Sequence, residues 1–341
     1  MELTEPDALS TAAAIRAGTV SAVEVAAAHL ARSERLGPVV GAFARLTPDI
    51  ALAQAAAVDE ALARGGTSSS SGAAPLLGVP CPIKDLNQVT GVGWEAGSAA
   101  MRGVVAELDD DIVGWLRAAG TVMLGKTATP EFGLPCYTEP EGAPAARTPW
   151  DLSRSAGGSS GGAAAAVATG LAPIAQASDG GGSIRIPASA CGLVGLKASR
   201  GRISGGALRM PGPGLGTDGV LSRTVADTAV ALDVLSGHGV GETYQVPRPH
   251  STFLEAARRE PGHLRIGVLT TPVIAEADVH PACLEAVRAT AEALAALGHD
   301  VSEAPVPFAV ERWLAFGAVW AVGAASIPLP PEAEQVLRPL T

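Results

Sequence analysis

Gly157-Gly158-Ser159-Ser160-Gly161-Gly162 and Asp179-Gly180-Gly181-Gly182-Ser183-Ile184-Arg185 each set a serine among glycines, with an alanine-rich run between them. Upstream lies Pro82-Ile83-Lys84-Asp85, an apolar lead into a lysine. A serine hydroxyl is a poor nucleophile until a base takes its proton. A lysine is that base only when neutral, and burial favours the neutral form. Glycine lets the backbone approach a reacting carbonyl and aim N–H groups at a developing oxyanion. For either serine stretch alone, a solvated loop is the plainer account. With the lysine present as well, one nucleophilic site explains all three.

Working outward, residues 161–169 predict a small-residue helix and 171–177 a strand. The first serine stretch then opens a helix and the second follows a strand. Residues 78–83 read as a short buried strand with Lys84 at its end. Asp109-Asp110-Asp111 opens a helix through 119, since acidic side chains favour that end. Residues 121–124, 193–196 and 264–269 read as strands, and 224–235 and 281–297 as helices. Such alternation predicts an α/β fold. Residues 1–65 read as helical, with Ser21 as a cap and Pro48 at a helix start. Residues 65–72, rich in Gly and Ser, read as a surface connection. Residues 313–326 predict a half-buried helix.

Composition narrows the function classes. The chain has 341 residues, 47% of them hydrophobic, enough for a large core. A net charge of −10 argues against nucleic-acid partners, which need clustered Lys and Arg. The nearest approach to a membrane span, residues 161–177, is interrupted by Gly170 and Pro173, so no membrane partner is expected. Glu2, Glu5 and Asp7 are unlike a signal peptide, and a cytoplasmic location is expected. Cys81, Cys136, Cys191 and Cys283 show no paired spacing and read as reduced thiols. The six histidines lack metal-ligand spacing, so no metal or other cofactor is expected. Gly120-Thr121-Val122-Met123-Leu124-Gly125-Lys126-Thr127 fits a phosphate-loop pattern. Its interval is apolar and β-prone, and Pro130 comes too soon for a following helix, so nucleotide binding is not expected.

The order and spacing of the three stretches resemble the amidase signature family, whose members hydrolyse amides with a Ser–Ser–Lys triad. The resemblance is densest from Arg147 to Lys197. It implies an α/β fold with a mixed β-sheet core covered by helices on both faces. It implies one amidase-like domain over 1–341, with a helical region at 1–65 and a catalytic core at 78–240. Family members continue further, so the C-terminal part of the family fold is expected to be missing here.

The resemblance also assigns roles. Ser183 is the nucleophile, Ser159 the relay and Lys84 the base. Gly180, Gly181 and Gly182, with the Ser183 amide, form the oxyanion hole. A cis peptide joins Gly158 to Ser159. Leu134 and Tyr137 match an acyl-pocket region, and Ser160, grouped with them as a candidate binding residue, supports the loop. Asp179 and Arg185 read as a structural ion pair. A pair between Lys84 and Asp85 is the competing account of the lysine, and it would hold the charge on. Trp94, Glu95, Pro140 and Gly180 depart from the common family pattern without touching the triad. The expected activity is cleavage of a small-molecule amide, with a homodimer as an open option. The alternatives are a glutaminase subunit of a tRNA-dependent amidotransferase and a truncated, non-catalytic product.

Overall fold

The computed structural model of the chain describes residues 3–65, 74–206, 214–242, 244, 246–339 and 341. The Gly/Ser-rich connection therefore lies, after Gly65, outside the described residues. The first helices start where their caps dictate. Asp7 accepts the Ser10 N–H ahead of α1 (Ala8–Arg16), and Ser21 with Glu24 forms a capping box on α2 (Ala22–Val40). Next come β1 (Phe43–Leu46) and α3 (Pro48–Ala63), with Pro48 in the first turn. The strand β1 lies inside the stretch that the sequence reads as helical.

Strand β2 (Ile83–Lys84) is short because Pro80 and Pro82 have no N–H to give a ladder. The helix α4 (Asp111–Ala118) leads to β3 (Gly125–Thr127), which pairs antiparallel with β1 and parallel with β2. The sequence places this strand at 121–124. Those residues are tied to 79–81 by Val122 N–H to Val79 O and Cys81 N–H to Val122 O, both 2.8 Å. Pro80 and Val122 make only an isolated bridge, and the continuous ladder begins at Gly125.

After the hairpin β4 (Arg147–Thr148) and β5 (Asp151–Ser155), helix α5 (Gly161–Ala168) runs into β6 (Ile174–Asp179). Helix α6 (Arg185–Cys191), β7 (Val194–Gly195) and β8 (Thr217–Ser222) follow. Strands β6, β8 and β7 form a second, antiparallel sheet. The two sheets join at the site. Gln176 N–H donates to Pro82 O at 3.0 Å, and Lys84 N–H donates to Gln176 Oε1 at 2.9 Å. Helices α7 (Val225–Leu235) and α8 (Phe253–Ala257) complete this part. The apolar core includes Ile83, Ile112, Leu116 and Ile174 in one cluster, and the α5 alanines with Leu171, Ile184 and Leu221 in another.

Two compact units divide the chain: Met1–Ala257 with Pro328–Thr341, and Arg258–Ile327. The second holds β9 (Arg265–Val268), α9 (Pro281–Ala296), β10 (Asp300–Glu303) and α10 (Val310–Ala325), with β9 and β10 parallel. Trp313, Phe316 and Trp320 stack along α10, with ring centroids 4.5 and 5.2 Å apart. No side chain of α10 is buried, and these three rings are half-exposed. The class is mixed α/β, as the sequence predicts. No helix among the described residues is long and apolar enough to cross a membrane.

The composition of α5 follows from how closely it packs. A Cβ on Gly162 would stand 2.4 Å from Ala128 N and 2.5 Å from Ala42 O, both backbone atoms that cannot swing aside. We therefore expect Gly162→Ala to destabilise the fold by about 3 kcal/mol. Urea unfolding measures this, and an unchanged midpoint would show that α5 can retreat.

Candidate active site

Lys84 is 0% exposed, at the end of β2. Its Nζ lies 2.8 Å from Ser159 Oγ and 3.2 Å from Ser178 Oγ. The backbone under it is fixed by a buried polar chain. Gln176 accepts the Lys84 N–H and donates through Nε2 to Asn87 Oδ1 at 3.0 Å and Asp218 Oδ1 at 3.1 Å. Asn87 Nδ2 in turn donates to Asp110 Oδ2 at 2.9 Å. Buried amides and carboxylates linked this way keep one geometry, because any departure strands a polar atom without a partner.

Asp85 turns to a different lysine. Lys126 Nζ donates to Asp85 Oδ1 at 2.7 Å and to Asn87 O at 2.8 Å, and Glu95 N–H reaches Asp85 Oδ2 at 3.3 Å. Burial pushes the Asp85 carboxyl up and the Lys126 amine down, and their mutual attraction opposes both shifts without cancelling them. Lys126 is the lysine of the phosphate-loop pattern. It is enclosed within a strand and committed to Asp85, so it cannot cradle a phosphate.

The peptide bond between Gly158 and Ser159 is cis, as the resemblance implies. The segment 133–138 presses on this turn. A Cβ on Gly158 would meet the Tyr137 backbone at 2.6 Å, and one on Gly133 would stand 3.1 Å from Ser159 Oγ. Thr138 Oγ1 donates to Gly157 O at 3.0 Å and accepts the Gly161 N–H at 3.1 Å. Leu134 is half-buried and Tyr137 exposed on this segment. Ser160 is fully buried. Its Oγ donates to Ser178 O at 3.2 Å and accepts the Ser178 N–H at 3.4 Å. That bonding fits support of the loop and leaves no exposed hydroxyl to meet a substrate.

Ser183 is 7% exposed and follows Gly182, whose φ of +132° favours glycine. Asp179 organises this loop. Its carboxylate accepts the N–H of Gly182 at 2.7 Å, of Ile184 at 3.2 Å and of Arg185 at 3.3 Å. Arg185 Nε and Nη2 complete a fork on it, each at 2.9 Å. Burial alone would raise this carboxyl; the Arg185 guanidinium and the Ile184 and Gly182 amides outweigh it and hold the group below the usual carboxylate range.

One expected oxyanion donor is otherwise engaged. The Gly182 N–H points at Asp179, because the turn needs that bond to close. The N–H groups of Gly180, Gly181 and Ser183 make no hydrogen bond among the described residues. The two serine loops touch through Ser160 N–H to Ser183 O at 3.3 Å. No hydrogen bond links the Ser159 and Ser183 hydroxyls among the described residues. The structure thus brings Lys84 and Ser159 into contact and sets Ser183 on the adjoining loop.

Ser178, Gln176 and Thr138 escape the sequence reading. The first two left a trace. They stand two apart in the strand Ile174–Asp179, so they face the same side of it, and both reach Lys84.

A family model described as Amidase matches residues 24–329. The 6-aminohexanoate-cyclic-dimer hydrolase of Paenarthrobacter ureafaciens is 41% identical over 306 residues, which cover 87% of this chain and 59% of that protein. A glutamyl-tRNA(Gln) amidotransferase subunit of Chloroflexus aggregans is 38% identical over 294 residues, covering 86% and 59%. A solved structure of 6-aminohexanoate cyclic dimer hydrolase complexed with substrate matches with a TM-score of 0.80 at 39% identity, covering 89% of this chain and 61% of that one. The chain spans less than two thirds of the length of these relatives.

The lowered Asp179 carboxyl sets a pH dependence. It binds its proton less readily folded than unfolded, so its contribution is complete above the unfolded pKa and is lost as pH falls through the folded one. Asp179→Asn is expected to be less stable than the parent at neutral pH, with the gap narrowing below about pH 4. Urea midpoints at several pH values measure this; a gap independent of pH would remove the charge from the account.

Proposed function

The chain belongs to the Amidase family, and on that premise we propose that it hydrolyses the C–N bond of a small carboxylic amide through Ser183, Ser159 and Lys84. The observation that carries this is the 2.8 Å contact between the buried Lys84 amine and Ser159 Oγ. In the reaction, Ser183 Oγ attacks the carbonyl carbon. Its proton passes to Ser159, whose own proton goes to neutral Lys84. A hydroxyl can donate to one partner while it accepts from the other, and its hydrogen rotates to suit. The Ser183 side chain closes on Ser159 as substrate enters, since catalytic hydrogen bonds commonly tighten only in the complex.

The negative charge on the tetrahedral oxygen falls to the Gly180, Gly181 and Ser183 amides. Donors held in place by the fold need no reorganisation, which is where their catalytic value lies. Lys84 then returns the proton through Ser159 to the leaving nitrogen, the C–N bond breaks, and an acyl group remains on Ser183. Water, deprotonated along the same path, attacks the ester; the C–O bond to Ser183 breaks, the proton on Lys84 returns through Ser159 to Ser183 Oγ, and the acid is freed. Ser178 keeps the Lys84 amine on the relay side throughout.

The relatives suggest what to assay first. A hydrolase acting on a cyclic dimer of 6-aminohexanoate points to aliphatic amides of small amino acids. The amidotransferase relative makes free glutamine the contrasting substrate. Turnover of glutamine only when partner proteins are added would favour that second reading.

Ser183→Ala is expected to lower kcat by at least about 1,000-fold, since removing a nucleophile leaves only binding and oxyanion contributions. Full residual activity, or sulfonyl fluoride labelling at another residue, would rule the assignment out. Lys84→Ala is expected to cause a loss of similar size and to remove the rising limb of the pH–rate profile. An unchanged profile would take the lysine out of the mechanism.

A further inference from the structure

Among the described residues, Ala96 (φ 49°) and Phe132 (φ 47°) are the non-glycine residues with left-handed backbones, and they meet. Phe132 N–H donates to Ala96 O at 2.8 Å. Each such conformation persists only where its surroundings impose it. The neighbouring side chain that ties these surroundings together is Glu131.

Glu131 is 3% exposed. Its Oε1 accepts the Ser98 hydroxyl at 2.8 Å. Its Oε2 accepts the Arg338 N–H at 2.9 Å and the Thr341 hydroxyl at 2.5 Å. Arg338 Nη1 also donates to Glu139 O at 2.8 Å, so Arg338 and Thr341 hold the stretch 131–139 at both ends. Between those ends lie Gly133, packed on Ser159 Oγ, and Thr138, bonded to Gly157 and Gly161. Leu134 and Tyr137 stand on the same stretch.

We propose that Glu131 is a positioning residue that sets substrate fit: with Ser98, Arg338 and Thr341 it clamps residues 131–138 against Ser159 and so shapes the acyl side of the site. The carboxylate takes no part in proton transfer. The proposal rests on the amidase reading above for its kinetic consequence, and on the hydrogen bonds alone for its structural one.

The test compares the parent chain with Glu131→Gln and Thr341→Val. The glutamine amide replaces one acceptor oxygen with an N–H donor, so either the Arg338 N–H loses its acceptor or the Ser98 hydroxyl must reverse its role, while the volume is nearly unchanged. Glu131→Gln is expected to raise KM for the bulkier amides about tenfold, with kcat and its pH profile held. The Phe132 and Gly133 amides should exchange hydrogen about tenfold faster. Thr341→Val should move both readouts the same way, about threefold, with the global unfolding midpoint unchanged. Unchanged KM and unchanged exchange in both variants would overturn the clamp. A fall in kcat with a displaced pH profile would overturn it too, by placing Glu131 in the chemistry. If Glu131→Gln does not fold, Thr341→Val decides alone. If the parent chain neither cleaves amides nor takes a sulfonyl label, the amidase reading fails, and the exchange comparison still decides the clamp.

Discussion

An amine sealed inside protein has to be held to be useful, and here the holding is done from behind. The Lys84 backbone donates to Gln176, and Gln176 is itself bound to Asn87 and Asp218. The side chain then runs to the hydroxyls of Ser159 and Ser178. Pro80 and Pro82 contribute by interrupting the ladder, so the chain before Lys84 answers to the second sheet as well as the first. Cut the link at Gln176 and the two sheets lose a shared bond at the point where the lysine must be aimed.

Two carboxylate–cation pairs near this point serve different ends. Asp85 and Lys126 are buried together, and each is drawn toward neutrality by loss of water. Their effect is to occupy Asp85, which stands next to Lys84 and would otherwise be its natural counter-ion. Asp179 and Arg185 are more open on the arginine side, and the carboxylate spends its remaining capacity on backbone N–H groups. That pair is a template for the tight turn carrying Ser183. It also takes the Gly182 amide out of the set of possible oxyanion donors.

Much of this was legible in the sequence because glycine and proline leave local marks. Ser159 and Ser183 announce themselves by the glycines around them, and Lys84 by its apolar approach. The mixed α/β class follows from alternation, and helices α4, α5, α7 and α9 fall within a residue or two of their expected bounds. What could not be read depends on partners far along the chain. Strand β1 exists because β3 offers it an edge across some eighty residues, and no pattern within Phe43–Leu46 declares it. Glu131 is one of 34 acidic residues, and nothing nearby says that residues 338 and 341 will converge on it. The role of Gly182 turned on which way a single amide points, a matter of geometry that residue type does not encode.

Helix α5 connects the turn bearing Ser159 to β6, at whose far end the Ser183 turn begins. It is made of glycine, alanine and one valine, and its first seven residues are buried. A rod so slim, set against neighbouring main chain, has little side chain left to shorten. Under the proposed activity, substrate preference has more room to change along residues 131–139, where the half-buried Leu134 and the exposed Tyr137 can still change size.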